Sequence, residues 1–464
     1  MLDHQLVQRV LDAALRTGGE FAEVFAEDRR SSGAQLDDGR VEQLTSGRDR
    51  GAGIRVVVGD TTGFAHTAEL TETGLLRAAA AAGAAARHGG GATAAVTLSR
   101  ADGDDSRRFE VLPESVAKHR KVELLLRADD AGRSAGPSVT QMTVAYADAR
   151  RQILVANSDG LLVEDDVVRT SFRVSAVASG DTGMQQGYEN VARTTGFELF
   201  DDVEVEELAR AAAGRAVAKL AARPAPSGTM PVVIKAGRGA VLFHEACGHG
   251  FEADAIEKGA SVFAGKVGEQ VASPMVTLVD DGTMAREWGA SAVDDEGAPV
   301  ARNVLVQDGV LTDYMWDFLR SRKAGRASSG NGRRQSYQHL PMVRMTNTYL
   351  LAGTEDPEEI VRQTPYGVYV AQINGGQVNT VTGDFVFGMS EAYLIENGEI
   401  TVALRGANLI GNGPEVLRCI DAVGSDFAMA NGGGTCGKNG QGVPVGMGQP
   451  TLRVTAMTIG GTAA

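Results

Sequence analysis

The stretch PVVIKAGRGAVLFHEACGHGFEAD, residues 231–254, decides how the rest of the chain is interpreted. Its first five residues form an apolar run that indicates a strand, and a glycine turn follows. The apolar segment after this turn predicts a helix around 238–256. This helix would carry His244, Glu245 and His249. Two imidazoles and a neighbouring carboxylate are the components of a hydrolytic zinc site.

The residue types in this motif suit hydrolysis. Neutral imidazole binds Zn²⁺ well, and the metal lowers the pKa of a bound water toward about 7. The carboxylate of Glu245 can accept the proton of that water and return it to the leaving amine. Taken singly, His244 and His249 would each be interpreted as an ordinary buried or capping histidine. Because the chain has only 7 histidines, two of them flanking Glu245 favour a metal site.

The spacing of the two histidines is unusual. Common zinc helices place their histidines at i and i+4, about 40° apart around the axis. His244 and His249 are five residues apart, which is about 140° on an ideal helix. A regular helix would not direct both imidazoles at one ion. We therefore expect a π-bulge or a helix end at Gly248.

Two histidines leave the site short of the three protein ligands that are usual for catalytic zinc. The candidates for the third ligand are Glu252 and Asp254 just downstream, Cys247 inside the motif, or a distant thiolate. Cys436 lies in the glycine-rich stretch NGGGTCGKNGQGVPVGMGQP, residues 431–450. A thiolate there would bind zinc strongly, but a small buried residue in a turn explains the pattern equally well. The other two cysteines fit inert core positions.

A polar segment, GNGRRQSYQHLPMVRMTNTY at 330–349, is the other candidate for function. It could bind the carbonyls or the carboxylate of a peptide, or act as a lid; a solvated loop accounts for its composition equally well. Within it we single out His339 and Arg344. Together with Glu252 and Asp254, they are our candidates for contacting the metal ligands or the substrate.

Composition limits the partners of the chain. Its 45 basic and 59 acidic residues give a formal net charge of −14, which disfavours nucleic acid as a primary partner. Three cysteines are too few for a disulfide framework. The first 18 residues resemble an amphipathic helix rather than a signal peptide. The longest apolar stretch, 75–86, is too short to span a bilayer. We expect a cytoplasmic protein without a membrane partner.

A length of 464 residues predicts two domains. The fold class predicted is α+β: a mixed N-terminal domain, 1–222, followed by a β-rich catalytic domain, 229–464, that carries the histidine helix. The segment RPAPSG at 223–228 is the predicted linker. Helices are predicted at 1–18, 71–87, 113–131, 204–222, 357–363 and 415–422. Short strands are predicted between 22 and 65 and at 138–147, 151–157 and 161–176.

Six segments closely resemble the TldD metallopeptidases of the TldD/TldE (PmbA) family, once called modulators of DNA gyrase. They cover the C-terminal half in order, whereas the N-terminal half is similar mainly around GAGIRVVVGDTTGFAHTAELT, 51–71. The six are HEACGHGFEAD (244–254), SVFAGKVGEQVASPMVTLVDDGT (261–283), DDEGAPVARNVLVQDGVL (294–311), GNGRRQSYQHLPMVRMTNTYLL (330–351), GGQVNTVTGDFVFGMSEAYLIENGEI (375–400) and TCGKNGQGVPVGMGQPTLRVTAMTIGG (435–461).

The resemblance implies a peptidase with one zinc ion per chain, held by His244, His249 and Cys436, with Glu245 as general base and then acid. It implies small or unfolded peptides as substrates, such as leader segments of ribosomally made peptide products or modified peptides. It also implies pairing with a TldE-like subunit that lacks the motif; a homo-oligomer is the alternative. The N-terminal domain would then serve assembly and enclosure of the substrate.

Two other functions share part of this pattern. A non-catalytic binding subunit would use zinc only structurally, and a closed site with four ligands would favour that function. The sequence instead offers a carboxylate beside the ligands and no obvious fourth ligand. A metal-dependent amidase acting on small molecules would have the same site chemistry as a peptidase. Assays with unfolded peptides and with acylated small amides distinguish these two enzymes.

Overall fold

The computed structural model describes residues 2–86, 95–101, 109–379 and 381–461. Strands outnumber helices, and the C-terminal half is β-rich, in agreement with the α+β prediction. In the described residues, no helix is both long enough and apolar enough to cross a membrane. The helices are α1 (His4–Leu15), α2 (Glu72–Ala85), α3 (Lys118–Arg133), α4 (Leu199–Asp202), α5 (Val205–Leu220), α6 (Val241–Ala246), α7 (Ala253–Glu257), α8 (Phe318–Lys323), α9 (Pro357–Arg362) and α10 (Gly413–Arg418), with 3₁₀ turns at Pro113–Ser115 and Gly248–Phe251.

The strands fall into an N-terminal group and a C-terminal group. The N-terminal strands are β1 (Phe21–Asp37), β2 (Arg40–Val58), β3 (Thr61–Thr67), β4 (Ser99–Arg100), β5 (Val139–Asn157), β6 (Leu161–Gly180) and β7 (Gly183–Arg193). The C-terminal strands are β8 (Arg223–Pro224), β9 (Gly228–Ile234), β10 (Leu278–Asp281), β11 (Arg302–Gln307), β12 (Val310–Leu311), β13 (Gly332–Arg333), β14 (Met342–Val343), β15 (Asn347–Leu350), β16 (Tyr366–Val378), β17 (Asp384–Glu396), β18 (Glu399–Arg405), β19 (Asn408–Asn412), β20 (Ile420–Val423), β21 (Ala428–Met429), β22 (Gly434–Lys438), β23 (Gln441–Gln449) and β24 (Leu452–Gly460).

The N-terminal strands form one sheet in the order β3-β2-β1-β5-β6, and both β4 and β7 pair with β6. Strands β1, β2 and β5 are long enough for one sheet to carry two pairs of helices. Near one end, α1 and α2 cover Val24 and Ile54. Near the other end, α3 and α5 cover Val144 and Val174. Each pair of helices thereby buries its apolar stripe on a separate patch of the same sheet.

Most of the predicted helices in this half are confirmed, but the strand lengths are not. Residue 87, the predicted end of the second helix, lies outside the described residues. The predicted turns at 37–39 and 59–60 are present, and Asp38 and Gly39 have φ of 47° and 78°. The short strands predicted between 22 and 65 are wrong in length, because residues 40–50, most of them polar, are exposed on both faces of β2. An exposed strand shows no apolar alternation from which it could be predicted.

Strand β5 joins two predicted strands for a related reason. The charged pair Arg150 and Arg151 interrupts the apolar pattern of the sequence. In the fold, Arg150 pairs with Asp166 on β6, and Arg151 pairs with Glu27 on β1. The strand continues through these residues because ion pairs across the sheet satisfy their charges. Strand β7 and helix α8 had no counterpart in the sequence-based prediction.

The C-terminal half contains two main sheets. In one, the order is β12-β11-β10-β15-β23-β21, and β22 pairs with β23. In the other, the order is β16-β9-β24-β19-β17-β18-β8; β16 also pairs with β17, so that five of these strands form a closed ring. Helix α6 contacts strands of both sheets. Its residues Leu242 and Phe243 are buried in the large apolar core of this half. The predicted last helix is α10, which ends at Arg418, and β20 begins at Ile420.

The predicted linker is tied to the C-terminal half. Arg223 and Pro224 form β8 beside β18, and the backbone NH of Ala225 donates to the carbonyl of Arg405 at 3.0 Å. The two halves also share buried ion pairs: Glu23 on β1 accepts from Arg55 on β2 and from Arg334 in the C-terminal half. The boundaries 1–222 and 229–464 remain our proposal for the two domains.

Candidate metal centre

The predicted helix over 238–256 is divided in the structure. Helix α6 ends at Ala246, a 3₁₀ turn runs from Gly248 to Phe251, and α7 begins at Ala253. The end of α6 beside Gly248 is the break that the five-residue spacing of the histidines requires. At the junction, Cys247 has φ −129° and ψ −45°. The prediction of one continuous helix is therefore wrong, and the prediction of a helix end is right.

The break brings the two imidazoles together. The ring centroids of His244 and His249 are 5.3 Å apart, with an angle of 80° between the ring planes. Close packing explains why a glycine stands at the start of the 3₁₀ turn. A Cβ atom on Gly248 would lie 2.2 Å from Sδ of Met345, which is fully buried. A side chain at Gly248 would therefore require the buried side chain of Met345 to shift.

Cys436 reaches the histidines from a hairpin formed by β22 and β23. The hairpin turns at Asn439 and Gly440, whose φ values of 50° and 75° suit a tight two-residue turn. The Sγ atom of Cys436 lies 3.3 Å from Nε2 of His249. One candidate ligand atom from each of His244, His249 and Cys436 lies within 4.8 Å of the others, and all three residues are buried. No other His, Cys, Asp or Glu of the described chain belongs to this group.

The environment of His244 is a test of whether a metal fits. The residue is 1% exposed, yet neither ring nitrogen has a hydrogen-bond partner among the described residues. Leaving a buried polar group unpaired is unfavourable by about 1–3 kcal/mol. A cation bound between His244, His249 and Cys436 would give one of the two ring nitrogens a partner. Two imidazoles and one thiolate are donors that zinc prefers, so the residues fit a zinc ion.

Electrostatics favour the ionised thiol. Burial opposes ionisation of Cys436, but electrostatic interactions with the neighbouring imidazoles of His244 and His249, and the contact of its Sγ atom with Nε2 of His249, lower its pKa to about 4. Burial likewise opposes protonation of His249, but Glu252 and Cys436 raise the pKa of His249 well above its ordinary value. Without metal, the pair is therefore a thiolate facing an imidazolium. A thiolate is the form that binds metal ions.

Glu252 orients the second histidine. Its Oε2 atom lies 3.0 Å from Nδ1 of His249, which leaves Nε2 facing Cys436. A carboxylate that accepts from the far nitrogen is the usual support of a metal-binding imidazole. Glu252 is thus beside the ligand group but outside it. Asp254 is also buried nearby, and Lys438 donates to both carboxylates, at 2.8 Å to Glu252 and 2.7 Å to Asp254.

Arg344 supports the hairpin from behind. Its side chain is fully buried, and its guanidinium donates to the carbonyls of Cys436 and Gln441. It acts on the backbone that carries the thiol and is not exposed to a substrate. His339 lies elsewhere: its Nδ1 is 2.9 Å from Oγ of Ser336, and it is not part of the ligand group.

Most of the polar segment 330–349 is buried, unlike a solvated loop, and two of its residues reach the N-terminal half. The backbone NH of Tyr337 donates to Glu27 at 3.0 Å, and Arg334 pairs with Glu23. Cys247, inside the motif, is buried in the apolar core, where burial raises its pKa. It is an inert core residue, as predicted.

Glu245 occupies the open side of the centre. Its side chain is 28% exposed, whereas that of His249 is 8% exposed, and its Oε2 atom lies 3.8 Å from Nε2 of His249. The carboxylate can therefore meet a molecule from solvent while remaining beside the candidate ligands. Lys438 is the polar residue of this site that the sequence-based prediction missed. Its position two residues after Cys436 on a strand was the available signal, because alternate residues of a strand share a face.

Comparisons with known proteins find similar sequences along almost the whole chain. Three family profiles match: PmbA/TldA metallopeptidase domain 1 at 22–86, the central domain at 112–220 and the C-terminal domain at 227–461. The metalloprotease TldD homolog of Haemophilus influenzae is 38% identical, over 99% of this chain and 97% of that protein. A metalloprotease of Methanothermobacter thermautotrophicus is 37% identical, over 96% of each chain.

Solved structures share the fold. A Thermotoga maritima protein described as a modulator of a DNA gyrase superposes with a TM-score of 0.82 at 22% identity, covering 98% of this chain and 99% of that one. TldE from Thermococcus kodakarensis superposes with a TM-score of 0.77 at 19% identity, with the same coverage.

The charges at the centre predict an unusual thiol titration. In metal-free protein, the thiolate absorbance of Cys436 in the far ultraviolet should persist from neutral pH down to about pH 4. The pKa is lowered on folding, so the stabilisation from the thiolate is present at alkaline pH and is lost as the pH falls through this value. The difference between wild-type and Cys436→Ser absorbance isolates the signal. A midpoint near the ordinary thiol value of 9.0 would contradict the geometry.

Proposed function

The chain belongs to the PmbA/TldD metallopeptidase family, and we propose that it is a zinc peptidase whose ion is held by His244, His249 and Cys436. The observation that carries the proposal is the buried imidazole of His244, which has no hydrogen-bond partner among the described residues and lies in one group with His249 and Cys436. The group contains three candidate ligands, the number usual at catalytic zinc, which keeps one position open.

Glu245 is the proposed general base and then acid. When bound, the metal supplies a Lewis acid that polarises the scissile carbonyl and the attacking water. The carboxylate of Glu245 accepts a proton from the water and transfers it to the nitrogen of the leaving amine. Its partial exposure supports this role, because the residue must meet both water and substrate. Glu252 holds Nδ1 of His249, so that Nε2 remains the donor atom toward the centre.

The proposed substrates are small or unfolded peptides, such as leader segments or modified peptides. Strand β22, which carries Cys436, pairs only with β23 among the described strands. An extended peptide can pair through its backbone with such a free edge. A folded domain has few free backbone groups to offer, so substrate choice would depend on disorder more than on side chains.

We also propose that the chain works in an assembly with a TldE-like subunit, or else with its own copies. An active centre reached by extended chains would cleave many unfolded proteins unless access were limited. A partner that covers the centre provides this limit. The described residues of 1–222 contribute no side chain to the candidate metal group, which suits a role in assembly or substrate enclosure.

The first test of the mechanism is Glu245→Gln. The amide cannot accept the proton, so we expect peptide hydrolysis to fall by a factor of about 10²–10⁴, with zinc content unchanged. Glu257→Gln, the same change at a nearby carboxylate that pairs with Arg320 and Lys323, is the control and should keep full activity. A fully active Glu245→Gln protein would refute the proposed role of Glu245.

The ligand set is tested with Cys436→Ser, which should lose zinc, as measured by elemental analysis.

Substrate form is tested with one sequence in two states. A small domain that can be unfolded by a point mutation should be cleaved much faster when unfolded than when folded, as followed by mass spectrometry of the products. Acylated small amides, assayed in parallel, should be poor substrates. Equal rates for the folded and unfolded forms would show that backbone pairing does not select the substrate.

The assembly is tested by titration with a TldE-like partner. We expect the isolated chain to be weakly active and to gain activity up to a fixed stoichiometry, with sedimentation showing the complex over the same range. A lone chain that sediments as a monomer and cleaves peptides at the full rate, unaffected by the partner, would overturn the assembly proposal.

A further inference from the structure

Lys438 is a partly buried cation whose ammonium has three hydrogen-bond acceptors. Its side chain is 16% exposed. The ammonium donates to Oε2 of Glu252 at 2.8 Å, to Oδ1 of Asp254 at 2.7 Å and to the carbonyl of Val343 at 3.1 Å. These acceptors match the three donors of a lysine ammonium. A match of this kind holds the side chain in one position.

The strand geometry places Lys438 and Cys436 on the same face of β22, because they are two residues apart. Facing them is the segment from His249 to Asp254. Cys436 meets His249 at 3.3 Å, and Lys438 meets Glu252, which in turn bonds the far nitrogen of His249. The contacts close a ring that runs from the thiol through the imidazole, the carboxylate and the ammonium back to the same strand.

We propose that Lys438 is the positioning residue of the metal centre: through Glu252 it sets the orientation of His249, and through β22 it sets the distance of Cys436 from that imidazole. The inference rests on the proposed zinc site. The two histidines and Cys436 are far apart in sequence. In this proposal the ammonium of Lys438 holds the two segments together, in addition to the metal ion that they share.

Charge supports the same role. Glu252 and Asp254 are both buried and close to one cation, so without Lys438 their carboxylates would face each other in a region of low dielectric. Glu252 would then turn away from Asp254 and release His249. Loss of an outer support of this kind typically weakens metal binding by about 10–100-fold.

A matched control exists in the N-terminal half. Lys121 is also buried and also pairs with a carboxylate, Asp148, at 2.8 Å, with a second bond to Ser32. Neither Lys121 nor its partners belong to the candidate ligand group. Lys121→Met and Lys438→Met therefore remove the same kind of interaction at two places, and only one of these places is beside the metal centre.

The experiment measures the zinc dissociation constant by chelator competition, together with the melting temperature of the metal-free protein. We expect Lys438→Met to weaken zinc binding by at least about tenfold, and Lys121→Met to lower the melting temperature without changing zinc affinity. The absorption spectrum of the cobalt-substituted protein should change only in Lys438→Met. Unchanged affinity in Lys438→Met, or equal weakening in both variants, would overturn the inference.

Two further variants make the result specific. In a Glu252→Gln background, adding Lys438→Met should have a smaller effect than in wild type, because the lysine acts through that carboxylate; full additivity would contradict this. Lys438→Arg keeps the charge but presents a planar group, so several-fold weaker binding is expected, and wild-type affinity would count against positioning. A wild-type chain that binds no zinc would overturn the proposed function itself.

Discussion

The contact between Sγ of Cys436 and Nε2 of His249 is the constraint on which the arrangement of the C-terminal half depends. The two residues are 187 positions apart, so the fold must bring a helix end and a hairpin to one point. Helix α6 has to stop after Ala246, and the following turn packs closely on Met345 at Gly248. The hairpin needs a tight turn at Asn439 and Gly440.

The N-terminal half supports the same point from a distance. Glu23 on β1 holds Arg334, and the next residue, Gln335, exchanges hydrogen bonds with Gln441 and Gly442, which follow the turn of the hairpin. The sheet of one half is therefore linked through a short polar segment to β23, the strand that pairs with the one carrying Cys436. Buried ion pairs of this kind contribute little net stability, but removing one partner is strongly unfavourable. Their effect is to fix the position of the hairpin relative to the first sheet.

Local pattern made part of this structure predictable. Helix α1 follows from the spacing of Val7, Leu11 and Ala14, and the break after Ala246 follows from the five-residue spacing of the histidines. The length of β2 could not be predicted, because its exposed half has no apolar alternation. The contacts of Arg344 and Lys438 could not be predicted either, since both depend on residues about 90 or more positions away. The metal roles of His244, His249 and Cys436 remain predictions, although the fold brings these residues together.

The balance of buried charge explains why such a centre suits a cation. The thiolate of Cys436 and the carboxylates of Glu252 and Asp254 are three anions in a region largely closed to water, and Lys438 offsets one of them. In the metal-free protein, a proton on His249 offsets a second, which is why the pKa of that imidazole is raised. A metal ion bound between these residues would take the place of the proton on the imidazole and meet the thiolate, so the charges that hold His249 in place also favour a cation at this point.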